Sequence, residues 1–376
     1  MSAGELDLDK GAFLATFWQR EPLLIRSALK PLTSPLTADE LAGLALEEDI
    51  ESRIIEYREG DWQLHHGPFR GEDFQRDDPW TLLVQAVDHY IPEVARLRQL
   101  VNFLPSWRVD DVMVSYAVDG GSVGPHYDNY DVFLLQGEGR RRWRLGQACN
   151  SRSPLLPHDT LRILRDFECS REYLLEPGDI LYVPPGIAHW GIAEGECTTF
   201  SIGFRAPRIN DMVSRWADDL LEKLDPELFF RDPGIEAASR AGEIRPRDVE
   251  RVRAQLRAAQ DRATDSRWFG AMVTEPRYEF DTDDDDLAEA SALLAAGPGY
   301  IELSPAARVA WQQEPEGITV FANGQTRLFS STVLDALAAL CGDWRLDGER
   351  LAGALAQADT ARLLDYLLES GGIYVE

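Results

Sequence analysis

The 376-residue sequence predicts an α+β protein: a strand-rich first part that carries the chemistry, a helical stretch, and a smaller mixed module. Three observations predict it. Short apolar, β-type runs bounded by Gly, Pro and Asp recur as far as Phe204. After Ala206-Pro207, apolar residues fall instead at three- and four-residue intervals among many charges, over residues 211–224 and 246–265. Beyond a Trp-containing link, Ser266-Arg267-Trp268-Phe269, strand and helix patterns mix again. These shifts divide the chain into residues 1–206, 207–272 and 273–376.

Taken in order, helical patterns cover residues 38–46 and 80–90. His65-His66 looks like a metal cluster, but adjacent residues on a strand face opposite ways, so both read as structural or rim residues. His89, on the second predicted helix, and His158, in a Pro-rich loop, have no partner at ligand spacing. Gly120-Gly121-Ser122-Val123-Gly124 superficially resembles a phosphate loop. No helix pattern follows it, so backbone flexibility beside the next segment is the better explanation.

That segment is Gly124-Pro125-His126-Tyr127-Asp128. His126 and Asp128 are two residues apart and on a strand would project from one face. Further on, Glu176-Pro177-Gly178-Asp179 reads as a turn and Ile180-Leu181-Tyr182-Val183 as a short buried strand. Pro184-Pro185-Gly186 then bends the chain just before His189. Two imidazoles and one carboxylate are the set that holds non-haem Fe(II) on one face and leaves the other open. Taken alone, His189 beside Trp190 is equally a core histidine with one partner. The joint pattern of two half-motifs on distant strands favours the metal.

The spacing of Gly178, Pro184, Gly186 and His189 resembles the second-half signature of the cupin barrel, with the first half upstream as a double-stranded β-helix requires. The match extends over Trp107 to Met113, Gly124 to Asp128, Gln136 to Trp143 and Glu176 to His189, with Phe17 to Leu23 near the start. In these segments the chain resembles the JmjC family of 2-oxoglutarate oxygenases, and within it the bacterial ribosomal oxygenases. The likeness covers most of the chain and is strongest between Trp107 and Arg205. It implies a cupin/JmjC barrel, Fe(II) with 2-oxoglutarate as cosubstrate, and hydroxylation of an arginine on protein sixteen of the large ribosomal subunit.

The resemblance also implies roles for single residues. Arg141 stands where the family places its basic 2-oxoglutarate anchor, and a guanidinium grips a carboxylate with two parallel hydrogen bonds. Strand alternation sends Arg141 and Trp143 to one face and Arg140, Arg142 and Arg144 to the other, where a solvated basic strand is the better account. Ser115 and Thr199 are hydroxyl partners for the same ligand, or strand residues bonding locally. Asp111, Met113, Tyr130 and Ser201 would hold the target arginine, Asp111 pairing with its guanidinium while Tyr130 and Met113 flank the stem. The competing account has Asp110-Asp111 capping a turn and Met113 filling core.

Composition bounds the partners. A formal charge of −27 opposes a direct grip on nucleic acid and suits a basic polypeptide such as a ribosomal protein. The four cysteines form no CxxC, no secretory leader is evident, and no apolar run approaches a membrane span. The expectation is a cytoplasmic protein. By family resemblance, the helical stretch forms a homodimer interface.

The acidic run from Asp281 to Asp286 lacks the glycine and terminal glutamate of an EF-hand and reads as a solvated loop or helix start. Strand patterns at residues 300–303, 309–312 and 318–321, the turn Asn323-Gly324, helices from Ser331, Asp347 and Thr360, and a last strand suggest a winged helix. Its acidity favours a protein-contact role. Two other functions compete with arginine hydroxylation: JmjC demethylation of N-methyl-lysine, and a non-catalytic cupin binding module. No GxSxG elbow or Walker loop points to other chemistry.

Overall fold

Short strands, several of them buried along their whole length, build the first part. The computed structural model describes residues 6–29, 34–237, 240–263, 265–278, 284–297 and 299–376. Helix α1 (Lys10–Thr16), strand β1 (Leu23–Ile25) and helix α2 (Ala38–Leu44) come first along the chain, and β2 (Ser52–Arg58), β3 (Asp61–His66), β4 (Trp80–Val84) and the short α3 (Pro92–Ala95) follow. The barrel is completed by β5 (Val109–Ala117), β6 (Val132–Gln136), β7 (Arg140–Ala148), β8 (Arg171–Leu175), β9 (Ile180–Val183), β10 (Ile187–Glu194) and β11 (Cys197–Phe204).

The larger sheet runs β1-β9-β6-β11-β5-β4-β2-β3 and the smaller β10-β7-β8. Isolated bridges from Ser122 to Ile192 and from His126 to His189 add the ligand segment beside β10. Two sheets thus close around one interior, and the outer face of the larger sheet packs against α1 through Phe13, Phe133, Tyr182 and Phe204. Helix α2 starts on a reciprocal capping box between Thr37 and Glu40.

Three expectations are corrected. Residues 80–90 are not a helix: β4 is buried along its whole length, and only Val87–His89 makes a 3₁₀ turn. An apolar run covered on both faces has no period-two signature, so spacing alone mistook it for a helical face. The glycine-rich segment is tightly packed rather than flexible. A Cβ on Gly121 would strike the Trp80 carbonyl, and Gly124 has φ +80° with the Trp62 ring 3.1 Å from where a Cβ would sit. The Trp-containing link is the start of a helix.

That helix is α6 (Arg267–Thr274), after α4 (Ile209–Lys223) and α5 (Pro246–Ala263). Gly270 lets α6 lie flat on the ring of Phe321. Thus the expected boundary at residues 272/273 falls within a helix that packs on the following module. Residues 281–283 of the acidic run lie outside the described residues; α7 (Asp284–Ala296) begins at Asp284.

The last part contains β12 (Tyr300–Leu303), β13 (Val309–Glu314), β14 (Gly317–Ala322), β15 (Gln325–Phe329), α8 (Leu334–Asp343), β16 (Arg345–Asp347), α9 (Gly348–Leu355), α10 (Ala358–Glu369) and β17 (Ile373–Val375). Asn323 and Gly324, both at positive φ, join β14 to β15 in the two-residue turn the sequence predicted. Helices α8, α9 and α10 bury Leu337, Leu340, Leu351, Leu363, Leu364 and Leu367 against these strands in a separate core. Among the described residues no helix is long and apolar enough to cross a membrane.

Candidate metal centre and its pocket

The backbone sews the two half-motifs together: the amides of His126 and His189 each donate to the other's carbonyl, at 3.0 and 2.8 Å, and Gly186 N–H donates to the Asp128 carbonyl at 2.7 Å. The His126–Asp128 segment is not a regular strand, being bridged only at His126, yet its side chains converge with His189. The His189 Nε2 lies 3.6 Å and the His126 Nε2 4.0 Å from Asp128 Oδ2. All three ligand atoms lie within 4.8 Å of one another.

Each imidazole is oriented locally. His126 Nδ1 is 2.9 Å from the Gly124 carbonyl and His189 Nδ1 is 3.0 Å from the Ile187 carbonyl. A carbonyl only accepts, so the ring proton sits on Nδ1 and the Nε2 lone pair is free for a cation. Burial, then the neighbouring His126, pushes the pKa of His189 down to about 4, so it is neutral at physiological pH as a ligand must be.

Deeper in the barrel, alternation along β7 buries Arg141 and Trp143, while Arg142 and Arg144 face outward onto Glu172 and Glu194. Arg141 is only 6% exposed. Its Nη1 donates to Ser115 Oγ at 3.1 Å, but Nε and Nη2 have no partner among the described residues. A buried guanidinium with two unmatched donors is costly unless an anion meets it. Arg141, Ser115, Trp143 and the triad share one cavity of about 440 Å³. Such donors fit the carboxylate of a 2-oxo acid whose other end chelates a triad-bound metal. Thr199, opposite Ser115 in the ladder, is fully buried and spends its hydroxyl on Gln136 Oε1 at 3.4 Å, away from the cavity lining.

Asp111, Met113, Tyr130 and Ser201 all line the same cavity. Met113 faces Ser201 across the β5–β11 ladder. Asp111 lies within β5 rather than at a turn and accepts from Gln85 Nε2 at 2.7 Å. Burial, then the adjacent Asp110 and Asp88 carboxylates, raises its pKa to about 6. The Tyr130 hydroxyl is desolvated beside Asp128, which raises its pKa, although the residue remains 40% exposed.

Sequence reasoning missed Gln85, Arg53, Arg162 and Arg277, which line the cavity from distant strands and loops. No motif or periodicity marked them. The other histidines stand elsewhere: His65 pairs with Glu56 at 2.9 Å, His89 packs edge-on against Tyr278, and His158 Nδ1 accepts from the amides of Thr160 and Leu161.

Comparison with known proteins gives the same picture. Residues 96–212 match the JmjC domain and residues 255–374 a ROXA-like winged helix. The Ribosomal protein uL16 3-hydroxylase of Escherichia coli (strain K12) is 34% identical over 382 residues, covering 99% of both chains. The Probable ribosomal oxygenase of Haemophilus influenzae is 31% identical, covering 95% of this chain and 92% of its own. A crystal structure of E. coli YcfD superposes with a TM-score of 0.86 at 34% identity over 99% of both chains. Another, of YcfD as a ribosomal oxygenase in complex with cobalt and 2-oxoglutarate, gives 0.82 at 33% identity, again over 99% of both. An end-to-end match at this identity, with the JmjC domain on the ligand-bearing strands, means that the chain belongs to the JmjC family of ribosomal oxygenases.

Proposed function

We propose that this chain is a 2-oxoglutarate- and Fe(II)-dependent oxygenase that hydroxylates an arginine side chain of ribosomal protein uL16. One observation carries the reading: a buried arginine with two unmatched donors in the cavity that also holds a convergent His-Asp-His set. His126, Asp128 and His189 hold the metal through two Nε2 lone pairs and one carboxylate. Arg141, supported by Ser115, receives the far carboxylate of 2-oxoglutarate. Thr199 contributes from the strand beside Ser115, its hydroxyl bonded to Gln136. Bound Fe(II) with 2-oxoglutarate supplies the oxidation, one atom of dioxygen entering the substrate C–H bond and the other the succinate that forms with loss of carbon dioxide.

The rest is positioning. Asp111 takes the target guanidinium, Met113 and Tyr130 flank the aliphatic stem, and Ser201 offers a hydroxyl opposite Met113. The name of the E. coli relative supports uL16 as the partner and carbon 3 as the site of hydroxylation. A net charge of −27 favours a basic protein over nucleic acid or an anionic membrane. Four unpaired cysteines agree with a reducing, cytoplasmic setting.

On this reading residues 1–206 carry the chemistry, 207–272 join two copies, and the winged helix of 273–376 contacts protein. The homodimer is supported by α4, α5 and the segment between them, which leave Ile209, Leu221, Phe229, Phe230, Ile244 and Leu256 more than half exposed.

Mass spectrometry of large-subunit ribosomal proteins, after incubation with enzyme, Fe(II), 2-oxoglutarate and dioxygen, tests the reading. One added oxygen on an arginine of uL16 is expected. Succinate without mass gain removes the substrate, loss of a methylene from N-methyl-lysine points to demethylation, and no succinate at all leaves a non-catalytic cupin.

A further inference from the structure

Asp110 and Asp111, neighbours on β5, gather three arginines from beyond the barrel strands. Two are committed to architecture. Arg308 binds Asp110 Oδ1 at 2.6 Å and the carbonyls of Val109 and Asp110, both at 3.2 Å. Arg205 reaches Asp110 Oδ1 at 3.3 Å while donating to the carbonyls of Val273 at 2.7 Å and Glu275 at 3.1 Å.

Arg277 differs. It follows α6, lines the pocket, and hangs among three carboxylates. Its Nη1 lies 3.5 Å from Asp111 Oδ2 and 3.9 Å from Asp110 Oδ2, and its Nη2 is 3.3 Å from Glu51 Oε2. The Tyr278 hydroxyl anchors Glu51 at 2.9 Å, and the Arg277 side chain remains 38% exposed. Where Arg205 and Arg308 are tied to main-chain carbonyls, Arg277 is held by side-chain carboxylates.

We infer that Arg277 is a specificity-determining residue, an internal guanidinium that occupies Asp111 until the target arginine takes its place and Arg277 withdraws onto Glu51. The inference rests on the reading that Asp111 receives the target guanidinium. A carboxylate as buried as Asp111 is stabilised by a cation nearby, and exchanging one guanidinium for another leaves its charge balance intact. A neutral side chain offers no such exchange: it must enter beside Arg277 or strip Asp111 of its partner. The pocket therefore rejects uncharged residues, at the cost of weaker apparent binding of the right one, because Asp111 is free only part of the time.

The test compares an arginine peptide from the substrate with the same peptide carrying citrulline, which keeps the shape and loses the charge. With the full-length enzyme at about pH 8, well above the usual carboxylate range, Arg277→Gln should lower KM for the arginine peptide about two- to fivefold, the worth of a partly exposed ion pair. Its kcat should be unchanged, and KM for the citrulline peptide should fall as well, because nothing then has to be stripped from Asp111. Glu51→Gln should act in reverse, raising KM because Arg277 loses its alternative partner.

An Arg277→Gln enzyme with an unchanged or higher KM overturns the inference, as does a change confined to kcat. If the wild-type enzyme leaves the arginine peptide unmodified, the underlying reading falls first and takes the inference with it. Hydroxylation by the wild type with no KM shift in the variant overturns the inference alone.

Discussion

Replacing Arg141 by Met should move stability and cosubstrate binding in opposite directions. Without 2-oxoglutarate, the guanidinium is buried with one protein acceptor, Ser115 Oγ, for its five N–H donors. A buried donor left unpaired costs about 1–3 kcal/mol. Methionine fills similar length without polar atoms but deprives Ser115 of its donor, returning part of that gain. A net stabilisation of about 1 kcal/mol corresponds to roughly 2–4 °C in the barrel's unfolding transition. Binding runs the other way. Two charge-assisted hydrogen bonds lost from a desolvated site are worth about 3–5 kcal/mol, a rise of at least about 10²-fold in the 2-oxoglutarate KM. Thermal unfolding with and without saturating 2-oxoglutarate, beside steady-state kinetics, reads both. A variant that keeps its cosubstrate KM would remove Arg141 as the anchor. One that melts below the wild type without ligand would show that the guanidinium is already satisfied.

Further outcomes follow from the same geometry. Asp128→Ala should abolish turnover and weaken metal binding more than about 100-fold, since changes one layer further out already cost 10–100-fold; titration with Mn(II) checks this without turnover. With the Asp111 pKa near 6, kcat/KM for an arginine peptide should fall about tenfold per unit below pH 6, and Asp111→Asn should lose that limb. The sign for stability is opposite. A carboxyl whose folded value is raised above about 3.9 destabilises the fold increasingly as pH rises from about 4 to 6, and the loss then levels off. His189, held near 4, stays neutral over most of that window. In the helical region, Leu221→Glu with Phe229→Glu should convert the proposed dimer to monomer in analytical ultracentrifugation while leaving the metal site intact.

The metal centre was legible because its ligands sit in short segments with strong local constraints: a turn at Gly178, a buried run, a Pro-Pro-Gly bend. The family resemblance pointed to Arg141, and period-two alternation separated it from Arg140, Arg142 and Arg144, a split that the burial along the first part of β7 reproduces. The β4 segment was not, because Trp80–Val84 is covered on both faces and carries no periodic signature. The pocket mouth was only half legible. Asp111 and Met113 share a strand face, whereas Gln85, Arg162 and Arg277 arrive from separate parts of the chain. What brings them together is the closure of the barrel and the seating of α6 on Phe321, which no local pattern records.

Both ligand imidazoles are steered by carbonyls two residues behind them in their own segments. The aim of each ring is therefore written into a few consecutive residues, while the backbone bonds between the two segments set how far apart they stand. Asp111, Met113 and Ser201 lie on β5 and β11, outside both segments. Tyr130 apart, whose hydroxyl lies beside Asp128, the reacting centre and the surface that chooses its target are thus separately editable: a redrawn wall can present a different side chain to the same metal, one substitution at a time, without the centre having to be reinvented.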